Sequence, residues 1–305
     1  MRIYHELQAR ATDAPPIALA IGFFDGLHRG HREIVRALLR LRRPGMRAAV
    51  LTFGNHPATH LRPQRVPPLI ATTEERIDLL AAAGIDELYL VPFDERIAQL
   101  APREFLEEIV LERLQVRALV VGENFRFGRE RAGDATLARE LLGANEIPVV
   151  AVAPLQDGDE RVSSTRIREA ILRGDLATAN RLLGAPYELR GRVVLGAGRG
   201  HALGFPTANL AVAPEKLLPA DGVYAMLARY DGRDHPGLVS IGTNPTYDGR
   251  ARTIEAWLRD FRGTIYGHEL ALRDFAFVRE QRRFASPEEL RLQMQADAAQ
   301  VRFPS

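Results

Sequence analysis

Cysteine is absent from all 305 residues. Disulfides, zinc–thiolate sites and thiol catalysis are thereby excluded. Lysine is almost as rare: Lys216 is the only one among the 41 Lys and Arg residues. Arginine suits bidentate phosphate contacts, although a chain this rich in Arg and Ala reflects genome composition as readily. No apolar run approaches the roughly 20 residues of a membrane span. The stretch "PPIALAIGFF" is too short for a signal peptide and lacks its basic start, so a cytoplasmic protein is expected. An excess of one charge is lacking too. The 41 basic residues stand against 39 acidic ones, for a net +2, which argues against a dedicated nucleic-acid or membrane surface. There are no internal repeats and no low-complexity segments. Self-association is left open.

What is present suggests two domains, since one domain typically holds about 100–150 residues. In the first half, apolar runs at 17–24, 47–53, 87–93, 117–123 and 147–153 alternate with helical patterns. These are "HREIVRALLRL", "TTEERIDLLAAAG", "PREFLEEIVLERL" and "DATLARELLG". Thr72 or Thr73 supplies an N-cap for the second helix and Gly84 its end. Continuous apolar strands alternating with helices predict a parallel sheet covered on both faces. From about residue 185 the texture changes. Five strand-like runs separated by turns follow: "ELRGRVVLG", "GVYAMLARY", "GLVSIG", "RTIEAWLRD" and "ELALRDFAFV". They predict a compact antiparallel β-barrel. The stretch 286–301 closes the chain as a helix, with Ser286 as N-cap and Pro287 at the first helical position. The boundary is expected at "GAPYE", giving domains 1–185 and 186–305.

The densest chemistry lies in "GFFDGLHRGH" (22–31), between the first strand and the first helix. Ligands of open α/β sheets bind at the carboxyl ends of the strands. Gly22, Gly26 and Gly30 permit close backbone approach, and a helix start offers N–H groups to phosphate. His28 and His31 add donors. A zinc site of His28, His31, His56 and His60 is the competing reading, but Pro57 disfavours the helix that the last pair needs. A second phosphate candidate is "SSTRIR", where Ser163, Ser164, Thr165, Arg166 and Arg168 open another helix. Ordinary N-capping explains its hydroxyls equally well. A third dense stretch is "GAGRGHALGFPTANL" (196–210). A dinucleotide fingerprint fails there, because Pro206 stops any following helix. A glycine loop over phosphates, or a hairpin turn, remains.

His-x-Gly-His after a first strand resembles the adenylyl- and cytidylyltransferase superfamily. "LTFGNHP", "LIATTEERIDLLAAAGID", "VVGENFRFG" and "VSSTRIREAILRGDLATANRLLG" follow in order, and "PTAN", "GTNPTY", "RTIEAWL" and "IYG" come after them. Over essentially the whole chain this is similar to the prokaryotic bifunctional riboflavin kinase/FMN adenylyltransferase family. The resemblance implies a Rossmann-like nucleotidyltransferase sheet followed by a kinase barrel. It implies two steps: riboflavin and ATP to FMN and ADP, then FMN and ATP to FAD and pyrophosphate, both with Mg²⁺. In the first domain His28 and His31 would be catalytic. Gly22, Phe23, Asp25, Gly30, Ser164, Thr165 and Arg168 would meet nucleotide phosphates, and Asn124, Phe125 and Phe127 would meet flavin. In the second, Thr207 and Asn209 would hold Mg²⁺, Gly198 and Gly200 would cover phosphates, Glu255 would be the general base and Arg279 would contact flavin. Two departures stand out: Asn55, where the family commonly has Pro, and "FVREQRRF", which lacks the usual Glu two or three residues after the Arg. The alternatives are a single-activity adenylyltransferase with an impaired kinase module and a flavin- or nucleotide-binding regulator without turnover.

Overall fold

Strands buried on both faces need uninterrupted apolar side chains, and the first half supplies them. In the computed structural model, which describes residues 1–61, 63–196, 204–243 and 252–300, β2 (Ile17–Ile21) and β4 (Glu87–Val91) are buried at every residue. With β1 (Arg2–Tyr4), β3 (Arg47–Phe53), β5 (Val116–Gly122) and β6 (Val149–Val152) they form one sheet, ordered β1-β4-β3-β2-β5-β6. Every pairing in it is parallel. The strand order reverses between β2 and β5. At such a reversal the connecting loops diverge and leave a crevice at the carboxyl ends. The two faces of the sheet carry separate apolar clusters, one around Leu19, Leu51, Ile109 and Leu119, the other around Ala18, Leu38, Val50 and Val120. β1 is an edge strand of three residues, too short to leave a hydrophobic pattern. The small hairpin β7 (Gln156–Asp157) and β8 (Glu160–Arg161) is equally silent in the sequence.

Two compact units divide the chain, Met1–Ser164 and Thr165–Ser305. The second holds a closed antiparallel barrel in the order β10-β13-β12-β11-β14-β9. Its strands are β9 (Leu189–Val194), β10 (Thr207–Ala211), β11 (Gly222–Tyr230), β12 (Arg233–Thr243), β13 (Arg252–Leu258) and β14 (Glu269–Arg279). Five of these match the strand-like runs of the sequence. The sixth, β10, is "TANLA" itself; Ala208 and Leu210 point into the barrel, buried, while Thr207 and Asn209 alternate with them. The terminal helix spans Pro287–Gln300.

Candidate active sites

At the strand-order reversal, the carboxyl ends of β2 and β5 open on a cavity of about 920 Å³. That is the upper end of the usual ligand-pocket range. Gly22, Phe23, His28, Gly30, His31, Asn124, Phe125, Phe127 and Ser164 all line it, so the fold brings together sequence positions from 22 to 164. The turn after β2 is tight. Phe24 and Leu27 take φ of 54° and 38°, and Gly26 takes 70°. Left-handed backbone at two non-glycine residues costs energy that the surroundings must supply. It delivers the chain into helix α1 (Arg29–Leu41).

His28 is the N-cap of α1: its Nδ1 accepts the backbone N–H of His31 at 3.2 Å. An accepting Nδ1 carries no proton, so the neutral ring holds its proton on Nε2. The two imidazoles stack, with centroids 3.6 Å apart and planes 14° from parallel. Gly30 makes room for this. A Cβ there would lie 3.2 Å from Cε1 of His28 and 3.3 Å from its Nδ1. Histidine as an N-cap joins a structural task to a donor at the helix N-terminus, where the dipole favours anions.

Two residues brace the turn from beneath. Asp25 is buried and does not line the cavity; its carboxylate accepts the N–H groups of Ile70 at 3.1 Å and Ala71 at 2.9 Å. Arg76, only 1% exposed, donates to the carbonyls of Phe23 and Phe53, both at 2.9 Å, and to the hydroxyls of Thr52 at 3.3 Å and Thr73 at 3.2 Å. Its guanidinium lies 4.4 Å from the centroid of the Phe23 ring. Burial lowers its pKa, against the raising influence of Asp25 and Glu74. The helix Thr73–Ala82 that carries Arg76 is fixed by a reciprocal capping box between Thr72 and Glu75. Thr72, rather than Thr73, is therefore the cap. Arg76 left no signal in the sequence, where it reads as one more charge on an amphipathic helix.

Phe93, which lines the cavity, is pinned by Asn55. The Asn55 side chain accepts the N–H of Phe93 at 2.7 Å and donates to the carbonyl of the same residue at 3.0 Å. His56, beside it, accepts the N–H of Ala58 through Nδ1 at 3.0 Å and meets the Phe23 ring edge-on at 4.6 Å. Among the described residues no group of three or more His, Asp or Glu side chains is arranged to hold a metal. Phe127 belongs to the sheet's apolar cluster and stacks on Phe125 at 5.6 Å. Arg126, Arg131 and Arg161 also line the cavity; Arg126 is paired with Asp134 at 3.1 Å. Ser163 lines it with Ser164, which begins the helix Ser164–Leu172; Thr165 and Arg168 follow on that helix, in the second unit.

On the barrel, strand register assembles the second set. Asn209 stands opposite Glu255, and Thr207 opposite Trp257. Directly opposed residues share a face. Ile254, Ala256 and Leu258 fill the barrel interior at 6%, 0% and 6% exposure, which turns Glu255 and Trp257 outward. Alternation in the sequence leaves that choice open; the core decides it. Ser240 of β12 is opposite Glu255 on the other side, and Gln281 donates to its hydroxyl at 2.9 Å. Gly196 closes the set: a Cβ there would sit 2.0 Å from the Asn209 amide nitrogen. Gly198 and Gly200 lie outside the described residues. Arg279 is held by Asp297 of the terminal helix, with Nε 2.9 Å and a terminal nitrogen 2.8 Å from the same carboxylate oxygen. Asp297 is 3% exposed.

Comparison with known proteins gives each part of the chain a match of its own. A family model described as FAD synthetase matches residues 10–166, and one described as riboflavin kinase matches 183–303. A bifunctional riboflavin kinase/FMN adenylyltransferase of Listeria monocytogenes is 36% identical over 288 residues, covering 93% of this chain and 91% of the relative. The Escherichia coli K12 protein of that name is 34% identical, with the same coverage. The Bacillus subtilis one is 34% identical over 92% of this chain and 89% of its own. A solved structure from Streptococcus pneumoniae, described as a macrolide-efflux protein, is 31% identical and superposes with a TM-score of 0.87 over 99% of each chain. In the present chain no described helix is long and apolar enough to cross a membrane. With relatives this similar over nearly its whole length, the chain belongs to the bifunctional riboflavin kinase/FMN adenylyltransferase family.

Proposed function

We infer that this chain is an enzyme of flavin cofactor synthesis with two ATP-dependent activities. It phosphorylates riboflavin to FMN, with ADP as the other product. It then transfers AMP from ATP to FMN, giving FAD and pyrophosphate. One observation carries the reading: two separate residue constellations lie in one chain, each within the span of its own family model. His28, His31 and Ser164 fall within 10–166, and Thr207, Asn209 and Glu255 within 183–303.

The first site performs a substitution at the α-phosphate of ATP. The FMN phosphate is already anionic near neutral pH, so no base is required. The work is positioning and stabilisation of charge. His28, His31 and the N-terminus of α1 supply donors for that charge, and Ser164 adds a hydroxyl with Thr165 and Arg168 following on its helix. Gly22 and Gly30 allow the backbone close to the phosphates, and Phe23 walls the cavity beside them. We place Asp25 as the anchor of this nucleotide-binding turn. Asn124, Phe125 and Phe127, with their apolar surroundings, suit an isoalloxazine ring.

The second site must activate a primary hydroxyl. Glu255, turned outward on β13, is the base that takes the ribityl 5′ proton as the oxygen attacks the γ-phosphate. Thr207 and Asn209 offer neutral oxygens suited to a hard cation whose charge the phosphates balance. Mg²⁺ bound through Thr207 and Asn209 would screen the phosphates, and in the first site would favour departure of pyrophosphate. Gly198 and Gly200 cover the phosphates, and Arg279 organises the flavin side through the terminal helix. The near-neutral charge and the ATP requirement favour a cytoplasmic protein acting on small molecules without nucleic acid, membrane or obligatory partner; self-association is compatible with every step. Incubation with riboflavin, ATP and Mg²⁺, followed by separation of the flavins, tests this. FMN should appear first and FAD after it. A protein that binds these ligands and yields neither product would be a regulator instead.

A further inference from the structure

Burying a guanidinium is costly unless its donors are met, and Arg76 meets that cost with two loops at once. One terminal nitrogen serves the Phe23 carbonyl and the Thr52 hydroxyl; the other serves the Phe53 carbonyl and the Thr73 hydroxyl. Nε is buried without a partner, so the terminal pair carries the whole attachment. Phe23 opens the loop after β2, which runs on to His28 and His31. Phe53 ends β3 and leads into the loop that carries His56. All five of these residues line the cavity. The Phe23 ring touches both sides of the arrangement, the guanidinium at 4.4 Å and the His56 ring at 4.6 Å.

The backbone ladder does not set the spacing of these loops, because it runs out where they begin. The Gly22 N–H reaches Leu51 and the Gly54 N–H reaches Val91; just past Gly22, Phe24 turns left-handed with φ of 54°. Side chains take over. Thr52 donates to the Phe23 carbonyl at 3.1 Å, and its hydroxyl is in turn supported by Arg76. From the start of the helix Thr73–Ala82, Thr73 donates to the Gly54 carbonyl at 3.1 Å. The N–H groups of Ile70 and Ala71, just before the capping box, hold Asp25. Of these grips only Arg76 bonds to the backbone of both loops. A guanidinium is a rigid planar fork, so two carbonyls bound to it keep a fixed separation, which an ammonium on a flexible stem would not impose. Charge stabilisation at a reacting phosphate needs that precision, since misplacing a group by about 1 Å costs about 10²-fold. We propose that Arg76 is a positioning residue for adenylyl transfer: by bonding both loops it fixes the donors of His28 and His31 relative to the His56 side of the cavity. This rests on the adenylyltransferase reading of the first site.

The test uses the full chain and steady-state conversion of supplied FMN to FAD. Arg76→Lys keeps the charge but cannot bond both loops. Its kcat should fall about 10–10²-fold, with the KM for ATP within about threefold, because the donors serve the transition state. A held KM also reports an intact cavity. Combination with His31→Ala separates positioning from bulk structure. Once that donor is gone, Arg76→Lys should cost at most about twofold more, since groups that act through one another are not additive. A wild-type kcat in Arg76→Lys overturns the proposal, as does a raised KM with kcat unchanged. A double variant that loses the full product of the two single effects overturns it too. Should Arg76→Lys not fold, Thr73→Val decides. It keeps the volume and removes the hydroxyl that joins Arg76 to Gly54, so kcat should fall about fivefold, the scale of one hydrogen bond, and should not fall further in the His31→Ala background. An unchanged kcat there overturns the proposal. A wild-type protein that makes FMN but no FAD would overturn the adenylyltransferase reading itself, a result separate from all of these.

Discussion

His31 and Glu255 make the sharpest contrast at the scale of single residues, because the proposed function gives them to different reactions. His31→Ala should lower FAD formation from supplied FMN by about 10²–10³, the usual loss for one transition-state donor, and leave FMN formation near the wild-type rate. Equal loss of both would indicate misfolding. His28→Ala is a less clean variant, since it also removes the N-cap of α1, worth about 1 kcal/mol. Glu255→Gln keeps shape and hydrogen bonding and removes the proposed base. FMN formation should fall about 10²–10⁴, with riboflavin affinity little changed and FMN still converted to FAD. Full kinase rate in that variant would rule Glu255 out. The histidine pair among its glycines and the "RTIEAWL" run single these residues out as candidates in the sequence. Arg76 and Asp25 were not legible in their bracing roles. Their partners are backbone groups from distant segments, and nothing in a linear pattern marks a carbonyl as needing a donor.

Elements carry the cost of the strained turn. The turn at 22–28 holds two left-handed non-glycine residues, and the helix Thr73–Ala82 repays them through Arg76. The amino-terminal end of the sheet has its own clamp. Glu87, 1% exposed at the start of β4, pairs with Arg10 and with Arg47, the latter at 2.8 Å. Burial pushes the Glu87 carboxyl up, but hydrogen bonds from the two arginines more than reverse this and leave it below the ordinary carboxylate range. A folded value below the unfolded one means stability that is present above the ordinary range and lost as pH falls through the lowered value. Acid should therefore weaken the first unit through Glu87. Glu87→Gln should cost about 3–5 kcal/mol at neutral pH, as for one broken partner of a buried pair, and flatten the decline in acid. Denaturant midpoints across pH check this; parallel curves for both proteins would contradict it. The sheet's order of alternation was legible from its apolar runs. The clamp was not, because β1 and the segment before β2 leave too little periodicity to place Arg10.

For the whole molecule, two boundaries can be drawn. Compactness divides the chain after Ser164, whereas composition changes near Gly184. We propose that the activities separate at 185/186 and that the intervening helices belong to the barrel's stability. Gly174, between those helices, lies where a Cβ would meet the Tyr224 hydroxyl at 3.2 Å, and Asn180 accepts the N–H of Tyr187 at 2.7 Å. Fragments 165–305 and 186–305 should both phosphorylate riboflavin, the longer one melting at the higher temperature. A folded 165–305 that is inert beside an active full chain would mean that the kinase site borrows residues from the first unit. Barrel and sheet were both legible as classes, from turn spacing and from continuous apolar runs. The barrel's sixth strand was hidden because its five residues follow a proline and close a glycine-rich stretch that reads as a loop.

The central claim is that one chain cleaves ATP in two ways at two independent sites. Phosphorus NMR of the nucleotide products, followed alongside the flavins, reads both cleavages at once. With riboflavin, ADP should rise in step with total FMN formed and pyrophosphate in step with FAD. With FMN supplied to the Glu255→Gln protein, pyrophosphate should form and ADP should not; with riboflavin supplied to His31→Ala, ADP should form and pyrophosphate should lag by the factor predicted above. Loss of both products together in either variant, with the protein still folded, would contradict two independent sites.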